Sequence, residues 1–403
     1  MKQPSGGNPV ASTDSKAKNL NNQPRRPARA EIIGSLLKPP RLYEHFDRVY
    51  TDASAISTLD SKHREGLEAL NSVAEEEIKR VVAKQIDCGL DVISDGELRR
   101  AMFTNSFYDA IDGVEITNEP VPFHDDEGNT IYYQGAPIIA RRLRMVDSPA
   151  GKEAGFMRSL TTHPFKVTFP AASFFCLPYL YQKGITDQAY STPDELVQDA
   201  LEIQRRLVGD AVKAGATYVQ FDWPAYAILV DESWRELMKE RWDVEPEDLF
   251  ARSLAADRAV LEGIPDNVAK GLHFCRGNYK SHWISKGPLD FVAERMFDLP
   301  YDTFLIEWDD VSREGDFSTL RHVPKGGPTV VVGIVSSKKP KLESEDSLLE
   351  RIDEAVQYVD VDQLAISPQC GFASVWHGNE MTEDDQWRKL ELVSRVADRV
   401  WAR

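Results

Sequence analysis

His273 and Cys275 stand two residues apart at the end of the run Val268-Ala269-Lys270-Gly271-Leu272. That spacing puts two side chains on one face of an extended segment. Glu307 closes a second run, Thr303-Phe304-Leu305-Ile306, and Cys370 follows a third, Leu364-Ala365-Ile366-Ser367. Two thiols, one imidazole and one carboxylate form a donor set that zinc accepts, usually as a tetrahedron. The pattern is not that of a zinc finger, because the chain has no Cys-x-x-Cys pair. Each residue also has a plainer role open to it. A lone cysteine at a strand end serves as a small buried apolar group, and Glu307, near Asp309 and Asp310, serves as a surface acid. Cys88, near a helix end, and Cys176, inside Phe174-Phe175-Cys176-Leu177, read as core residues.

If the four donors meet, their chemistry has a direction. Zinc that already holds two thiolates is a poor acid for splitting water, because the anionic ligands donate charge into it. It is well suited to binding a further thiol and releasing its proton, since a free thiol with a pKa near 8.5 is mostly protonated at neutral pH. Alkyl transfer to sulfur is the expected reaction. Ser35, Glu97 and Asp222 also stand at strand ends.

Positioning these residues requires a regular frame. From Ala30 onward, short apolar runs alternate with helical patterns. Leu67, Leu70, Val73, Ile78, Val81, Val82 and Ile86 recur at helical spacing and predict a helix over 60–88, stopped by Gly89. Thr192-Pro193-Asp194-Glu195 reads as a capping box with Pro at the first helical position; Leu196, Ala200, Ile203, Leu207 and Ala211 form the buried face, and Gly215 ends the helix. A third helix is expected over 346–358. Strands are expected near 31, 91, 166, 217, 270, 303, 329 and 363. Strands alternating with helices imply parallel pairing and right-handed crossovers. The fold class is therefore α/β, a (β/α)8 TIM-type barrel with an inserted hairpin region within 112–160, signalled by Asp125-Asp126-Glu127-Gly128-Asn129 before Thr130-Ile131-Tyr132-Tyr133. A doubly wound open sheet is the alternative, weakened by the lack of a G-x-G-x-x-G after any strand. In a barrel, chemistry collects where strands end.

Residues 1–29 differ in kind: rich in Asn, Gln, Pro, Ser and Gly, with Lys2, Lys16, Lys18, Arg25, Arg26 and Arg29 facing only Asp14. They are expected to form a disordered basic tail, with a transit peptide as the alternative. Residues 30–403 are expected to form one catalytic barrel. The whole chain of 403 residues carries 65 acidic and 48 basic side chains, a net charge of −17. Such a surface argues against nucleic acid or an anionic membrane as partner. No apolar run approaches the roughly 20 residues of a membrane span. Four cysteines in a chain this long suit reduced thiols and a cytoplasmic location.

Taken together, Ile33-Gly34-Ser35, the stretch from Gly89 through Glu97, Val219-Gln220-Phe221-Asp222, His273-Phe274-Cys275-Arg276-Gly277-Asn278, Phe304-Leu305-Ile306-Glu307 and Ser367-Pro368-Gln369-Cys370-Gly371-Phe372 resemble, in order, the catalytic barrel of cobalamin-independent methionine synthases, in particular the short single-barrel members. The resemblance covers roughly residues 30–403. It implies a zinc-dependent methyltransferase that makes methionine from homocysteine. His273, Cys275, Glu307 and Cys370 match the zinc ligands. Ser35 matches a residue holding the homocysteine carboxylate, and Glu97 and Asp222 match the acids on its amino group. The charge logic of that last match stands alone, since an ammonium drawn from water needs carboxylates.

The departures are as informative. The second, folate-binding barrel of the full-length synthases has no counterpart. Their Asp-Glu-Pro-Ala is Asp222-Trp223-Pro224-Ala225 here, so one acid is gone. Their proton-donating His falls at Lys338 in Ser336-Ser337-Lys338-Lys339-Pro340, and a lysine needs a strongly lowered pKa for that work. No aromatic platform for a pterin is evident in Lys166–Ser173. The expected partners are a small-molecule thiol and a methyl donor, the latter a methyl-folate, a methylated corrinoid or another small methyl carrier. Two other readings remain open: a zinc enzyme moving larger alkyl groups on a different thiol, with Trp223, Tyr226 and Trp376 shaping its pocket, and a non-enzymatic barrel with structural zinc.

Overall fold

Val167–Pro170, Tyr218–Asp222, Thr303–Glu307 and Leu364–Pro368 are buried at every residue, the pattern of strands covered on both faces. In the computed structural model, which describes residues 28–50, 61–117 and 120–403, these strands join Ala269–Phe274 and Thr329–Val335 in a six-stranded parallel sheet whose spatial order follows the sequence. Two further segments complete the ring. Ile93 bridges Phe165, Glu31 bridges Val92, and Ala30 bridges Ile366 on the last strand, all in parallel. The closing hydrogen bonds run from Glu31 N to Ile366 O (3.2 Å) and from Ile366 N to Arg29 O (2.9 Å). The expected barrel of eight positions is thus closed, and the open sheet is excluded. Its first two strands shrink to bridges because Gly34-Ser35 and Ser94-Asp95-Gly96 turn the chain outward at once.

The helices follow their patterns. Ser61–Asp87 fills most of the interval expected, with Leu70, Ala74, Ile78, Val81 and Val82 buried. Ile86 instead faces solvent. The inward position is taken by Gln85, whose side chain donates to Ser94 O (2.8 Å) and accepts from Ser94 N (3.0 Å). Pro193–Lys213 starts on Thr192, whose Oγ1 accepts from Glu195 N (3.3 Å), but the Glu195 carboxylate takes Ser191 N rather than closing the box. Glu345–Val356 is the third helix.

The insertion lies between the second and third barrel strands. Ile111–Ile116 pairs antiparallel with Pro137–Met145, and between them Val121–His124 forms a hairpin with Thr130–Tyr133. Its turn is tied by Asp125, which accepts from Glu127 N and Asn129 N. The hairpin folds back over the barrel mouth: His124 pairs with Trp283, and Phe123 and Tyr133 pack on Tyr279 (ring centroids 5.4 and 5.5 Å apart).

The barrel axis carries a small apolar layer of Ile33, Leu305, Val331 and Ala365. Beside it runs a buried polar chain. Lys166 Nζ donates to Glu31 and to Gln220 Oε1 (both 2.8 Å), and Gln220 Nε2 donates to Ile33 O and to Asp222 Oδ1 (both 2.7 Å). This chain fixes Asp222 at the rim. Most of the expected tail, residues 1–27, lies outside the described residues. Arg29 belongs with the barrel, its backbone N bonded to Asp91 (2.7 Å) and its side chain to Leu364 O (2.6 Å).

Candidate active site

The floor of the barrel mouth is built by strand ends. His273 belongs to the strand Ala269–Phe274, Cys275 follows it, and Cys370 follows Leu364–Pro368. All three are buried, and one donor atom from each lies within 4.8 Å of the others. The two sulfurs are 3.3 Å apart, and Gly277 N donates to Cys275 Sγ (3.2 Å). The contact between the sulfurs holds the Cys370 thiol well below its usual range and pushes Cys275 above it. His273 Nδ1 lies 3.2 Å from Leu305 O, which assigns its proton to that nitrogen. Nε2 is buried and, among the described residues, has no hydrogen-bond partner. A buried imidazole with its free lone pair beside two thiols is a fitting cradle for a thiophilic ion such as zinc.

Glu307 is not part of this close group; its carboxylate clusters with Asp309 and Glu314. One oxygen accepts from Lys338 Nζ (2.5 Å) with Arg313 at 3.6 Å, and the other accepts from Arg276 N (2.7 Å). Lys338, which stands at the expected proton donor's place, is thus paired with Glu307. Burial, the largest single influence, lowers its pKa, but Glu307 together with Asp309 and Cys275 holds it above the ordinary lysine value. Paired in this way, Lys338 is placed to neutralise the buried Glu307 carboxylate.

Ser35, Glu97 and Asp222 all line the cavity above the three donors, together with His273, Cys275 and Cys370. Ser35 Oγ accepts from Ala373 N (3.3 Å), and Ser35 O from Phe372 N (2.9 Å). A Cβ on Gly371 would run into Ser35 Oγ, so glycine is needed there. Glu97 Oε1 accepts from Thr168 Oγ1 (2.8 Å), and Asp95 Oδ1 accepts from Glu97 N (2.8 Å). Burial pushes the Asp222 carboxyl up to about 7; His273 lowers it and Glu97 raises it by smaller amounts. Glu97 and Trp223, just past the second and fourth strands, have φ of 52° and 54°. Left-handed backbone in non-glycine residues costs on the order of 1–3 kcal/mol each and clusters at functional sites.

The cavity holds about 120 Å³. Its upper wall is aromatic: Phe103, Tyr108, Phe123, Phe174, Trp223 and Tyr279. The inserted hairpin provides part of this roof, and sequence reasoning missed it. The aromatics of Val121–Tyr133 were legible, but not the fold-back that aims them. Of the three aromatic candidates, only Trp223 reaches the cavity. Tyr226 packs in the core against Phe250 and Phe274, and Trp376 stacks on Phe46 and His377. Cys88 and Cys176 are buried and apart from the site, their thiols pushed up by burial to about 11 and about 12.

Residues 52–383 match the family model described as "Cobalamin-independent synthase, Catalytic domain". The chain is 32 % identical over 383 residues to the uncharacterized protein YxjH of Bacillus subtilis, covering 94 % of this chain and 96 % of that one. It is 28 % identical over 323 residues to a 5-methyltetrahydropteroyltriglutamate–homocysteine methyltransferase of Corynebacterium glutamicum, covering 76 % of this chain and 37 % of that protein. In fold it is similar to a B12-independent methionine synthase from Shewanella sp. W3-18-1, solved in complex with selenomethionine, with a TM-score of 0.65 at 19 % identity over 93 % of this chain and 97 % of that one.

Proposed function

The chain belongs to the cobalamin-independent synthase catalytic-domain family, and from that premise we propose that it transfers a methyl group to the sulfur of homocysteine to give methionine, with zinc held at His273, Cys275 and Cys370. The observation that carries the reading is the buried His/Cys/Cys group with the partnerless His273 Nε2 at the cavity floor. When bound there, zinc would take up the substrate thiol and release its proton, leaving a nucleophilic sulfur at neutral pH.

The chain's own residues do the rest. Glu97 and Asp222 offer carboxylates to the substrate ammonium from one wall. The ammonium in turn stabilises the ionised form of Asp222, whose pKa burial has raised to about 7. Ser35 and the backbone around Gly371 face the carboxylate. The aromatic roof excludes water from the sulfur. Glu307, whose oxygens accept from Lys338 and Arg276 N, would act as an exchangeable fourth ligand by giving up the Lys338 contact. The Corynebacterium relative, a homocysteine methyltransferase by name, and the Shewanella protein, solved in complex with selenomethionine, support the substrate and product. Residues 30–403 act as one catalytic unit, supported by the closed ring of strands. Four buried free cysteines suit a reducing compartment such as the cytoplasm, and among the described residues no helix is long and apolar enough to cross a membrane.

The test is direct. Homocysteine should bind the zinc-loaded protein, and Glu97→Ala should weaken it at least ~10-fold while sparing a thiol that lacks an amino group. Equal loss for both thiols would remove the amino-acid assignment.

A further inference from the structure

Glu97 and Asp222 face the thiol cavity, and among the described residues no Lys or Arg lines it. Behind each acid lies the same buried arrangement. Behind Asp222, Glu31 balances Lys166, Lys166 Nζ donates to Gln220 Oε1 (2.8 Å), and Gln220 Nε2 donates to Asp222 Oδ1 (2.7 Å). Behind Glu97, the Glu153 carboxylate accepts from Arg100 Nε (3.1 Å) and Nη2, Arg100 Nη1 donates to Thr168 Oγ1 (2.7 Å), and Thr168 Oγ1 donates to Glu97 Oε1 (2.8 Å). All six supporting residues are at most 4 % exposed.

Each relay runs in one direction. A guanidinium or an ammonium can only donate. The Thr168 oxygen therefore accepts from Arg100, and its single hydrogen is left for Glu97. By the same rule the Gln220 carbonyl faces Lys166 and its amide nitrogen faces Asp222. On Glu97 the other oxygen, Oε2, makes no hydrogen bond among the described residues. The Glu97 main chain is tied as well. Its N donates to Asp95 Oδ1 (2.8 Å), and its O accepts from Lys38 Nζ (2.7 Å) and Arg100 N (3.0 Å), which holds the left-handed turn in place. A Cβ on Gly34 would strike Glu97 Oε1, so glycine leaves room for the aimed carboxylate.

The neutral link in each relay has a consequence for charge. Glu307 shows the alternative: Lys338 touches its carboxylate directly at 2.5 Å, and a substrate cation would have to displace that contact. Thr168 and Gln220 instead keep the buried cations one side chain away, each cation balanced by its own acid. They orient Glu97 and Asp222 and leave both carboxylates for an incoming ammonium.

We propose that Thr168 and Gln220 are positioning residues that make the cavity selective for an amino-acid thiol, aiming Glu97 and Asp222 through neutral hydrogen bonds in place of direct contact with Arg100 and Lys166. This rests on the reading that these two acids hold the substrate ammonium.

Binding of homocysteine and of 4-mercaptobutanoate, the same thiol without its amino group, to the full zinc-loaded chain tests it. The readout is the ratio of the two affinities, which a general loss of folding or of zinc does not move. Thr168→Val keeps the side chain's shape and removes the hydroxyl, whereas Thr168→Ser keeps the hydroxyl. The expected result is a preference for homocysteine that falls about 10-fold in Thr168→Val and is restored in Thr168→Ser. Gln220→Met should lower the preference in the same sense. An unchanged ratio in Thr168→Val, equal loss of both thiols, or a Thr168→Ser protein as unselective as Thr168→Val would overturn the proposal. Glu97→Ala separates the two levels. If it collapses the ratio and Thr168→Val does not, the relay fails and the amino-acid reading stands. If Glu97→Ala leaves the ratio unchanged, the amino-acid reading fails and the relay falls with it.

Discussion

Removing Lys338 separates its two candidate roles. In the structure its ammonium and the Glu307 carboxylate are 2.5 Å apart, with side chains 3 % and 0 % exposed. Deleting one partner of such a pair leaves a buried charge and costs about 3–5 kcal/mol. Glu307 would keep Arg276 N at 2.7 Å and Arg313 at 3.6 Å, so Lys338→Met should fall at the lower end, about 3 kcal/mol. The losses of Glu307→Gln and Lys338→Met should not add in the double variant, the coupling being about 2 kcal/mol or more in a double-mutant cycle. The assay is urea denaturation of all four proteins at equal zinc content, because bound metal shifts apparent stability. A loss under about 1 kcal/mol, with a slower methyl transfer and a missing alkaline limb in its pH profile, would refute the counter-ion argument and return Lys338 to the role of proton donor.

Three further expectations follow from single contacts. Asp257 is fully buried with its carboxyl pushed up to about 7, first by burial; it accepts from Ser173 N (2.8 Å). A raised folded-state carboxyl contributes stability below pH ~4 and loses it as pH rises through 7, a cost of at most ~4 kcal/mol, so Asp257→Asn should raise the denaturation midpoint at pH 8 and leave it nearly unchanged at pH 4. Gly371→Ala should displace the Ser35 hydroxyl from Ala373 N and weaken homocysteine about 10-fold, read by calorimetry, with a stability loss of ~1–3 kcal/mol. The hairpin tip is clasped by Asp126, which contacts Lys339 (2.6 Å) and Arg313 (3.1 Å). Because Asp126 and Lys339 are partly exposed and the buried Arg313 keeps Asp309 and Glu314, Asp126→Ala should change global stability by less than ~1 kcal/mol yet speed amide exchange across 120–134; unchanged exchange there would mean the clasp does not hold the roof down.

The barrel was legible because its strands are short and largely apolar, and because helices with a clear buried stripe, such as Pro193–Lys213 and Glu345–Val356, lie between several of them. The donors at His273, Cys275 and Cys370 were legible for the same reason: strand ends in a closed barrel converge, and residue type then names the chemistry. What escaped depends on side-chain choices across long sequence separations. Nothing near Glu307 in sequence says that its carboxylate turns to Lys338 and Arg276 N instead of joining the sulfurs. That Lys338 is paired with a buried carboxylate was likewise not visible from its own stretch of sequence. Ile86 and Gln85 exchanged their expected places because Gln85 has the backbone of Ser94 to satisfy. The aromatic roof was hidden most deeply, since Phe123 and Tyr133 meet Tyr279 only after a whole hairpin folds back across the mouth.

The central claim is that His273, Cys275 and Cys370 hold a zinc that receives the substrate sulfur. Zinc-edge X-ray absorption on the purified protein, with and without homocysteine, addresses it most directly. The account predicts two sulfurs with nitrogen and oxygen donors in the free protein and three sulfurs once homocysteine is added. A metal-replete protein that binds no zinc, or a zinc shell that homocysteine leaves unchanged, would contradict it.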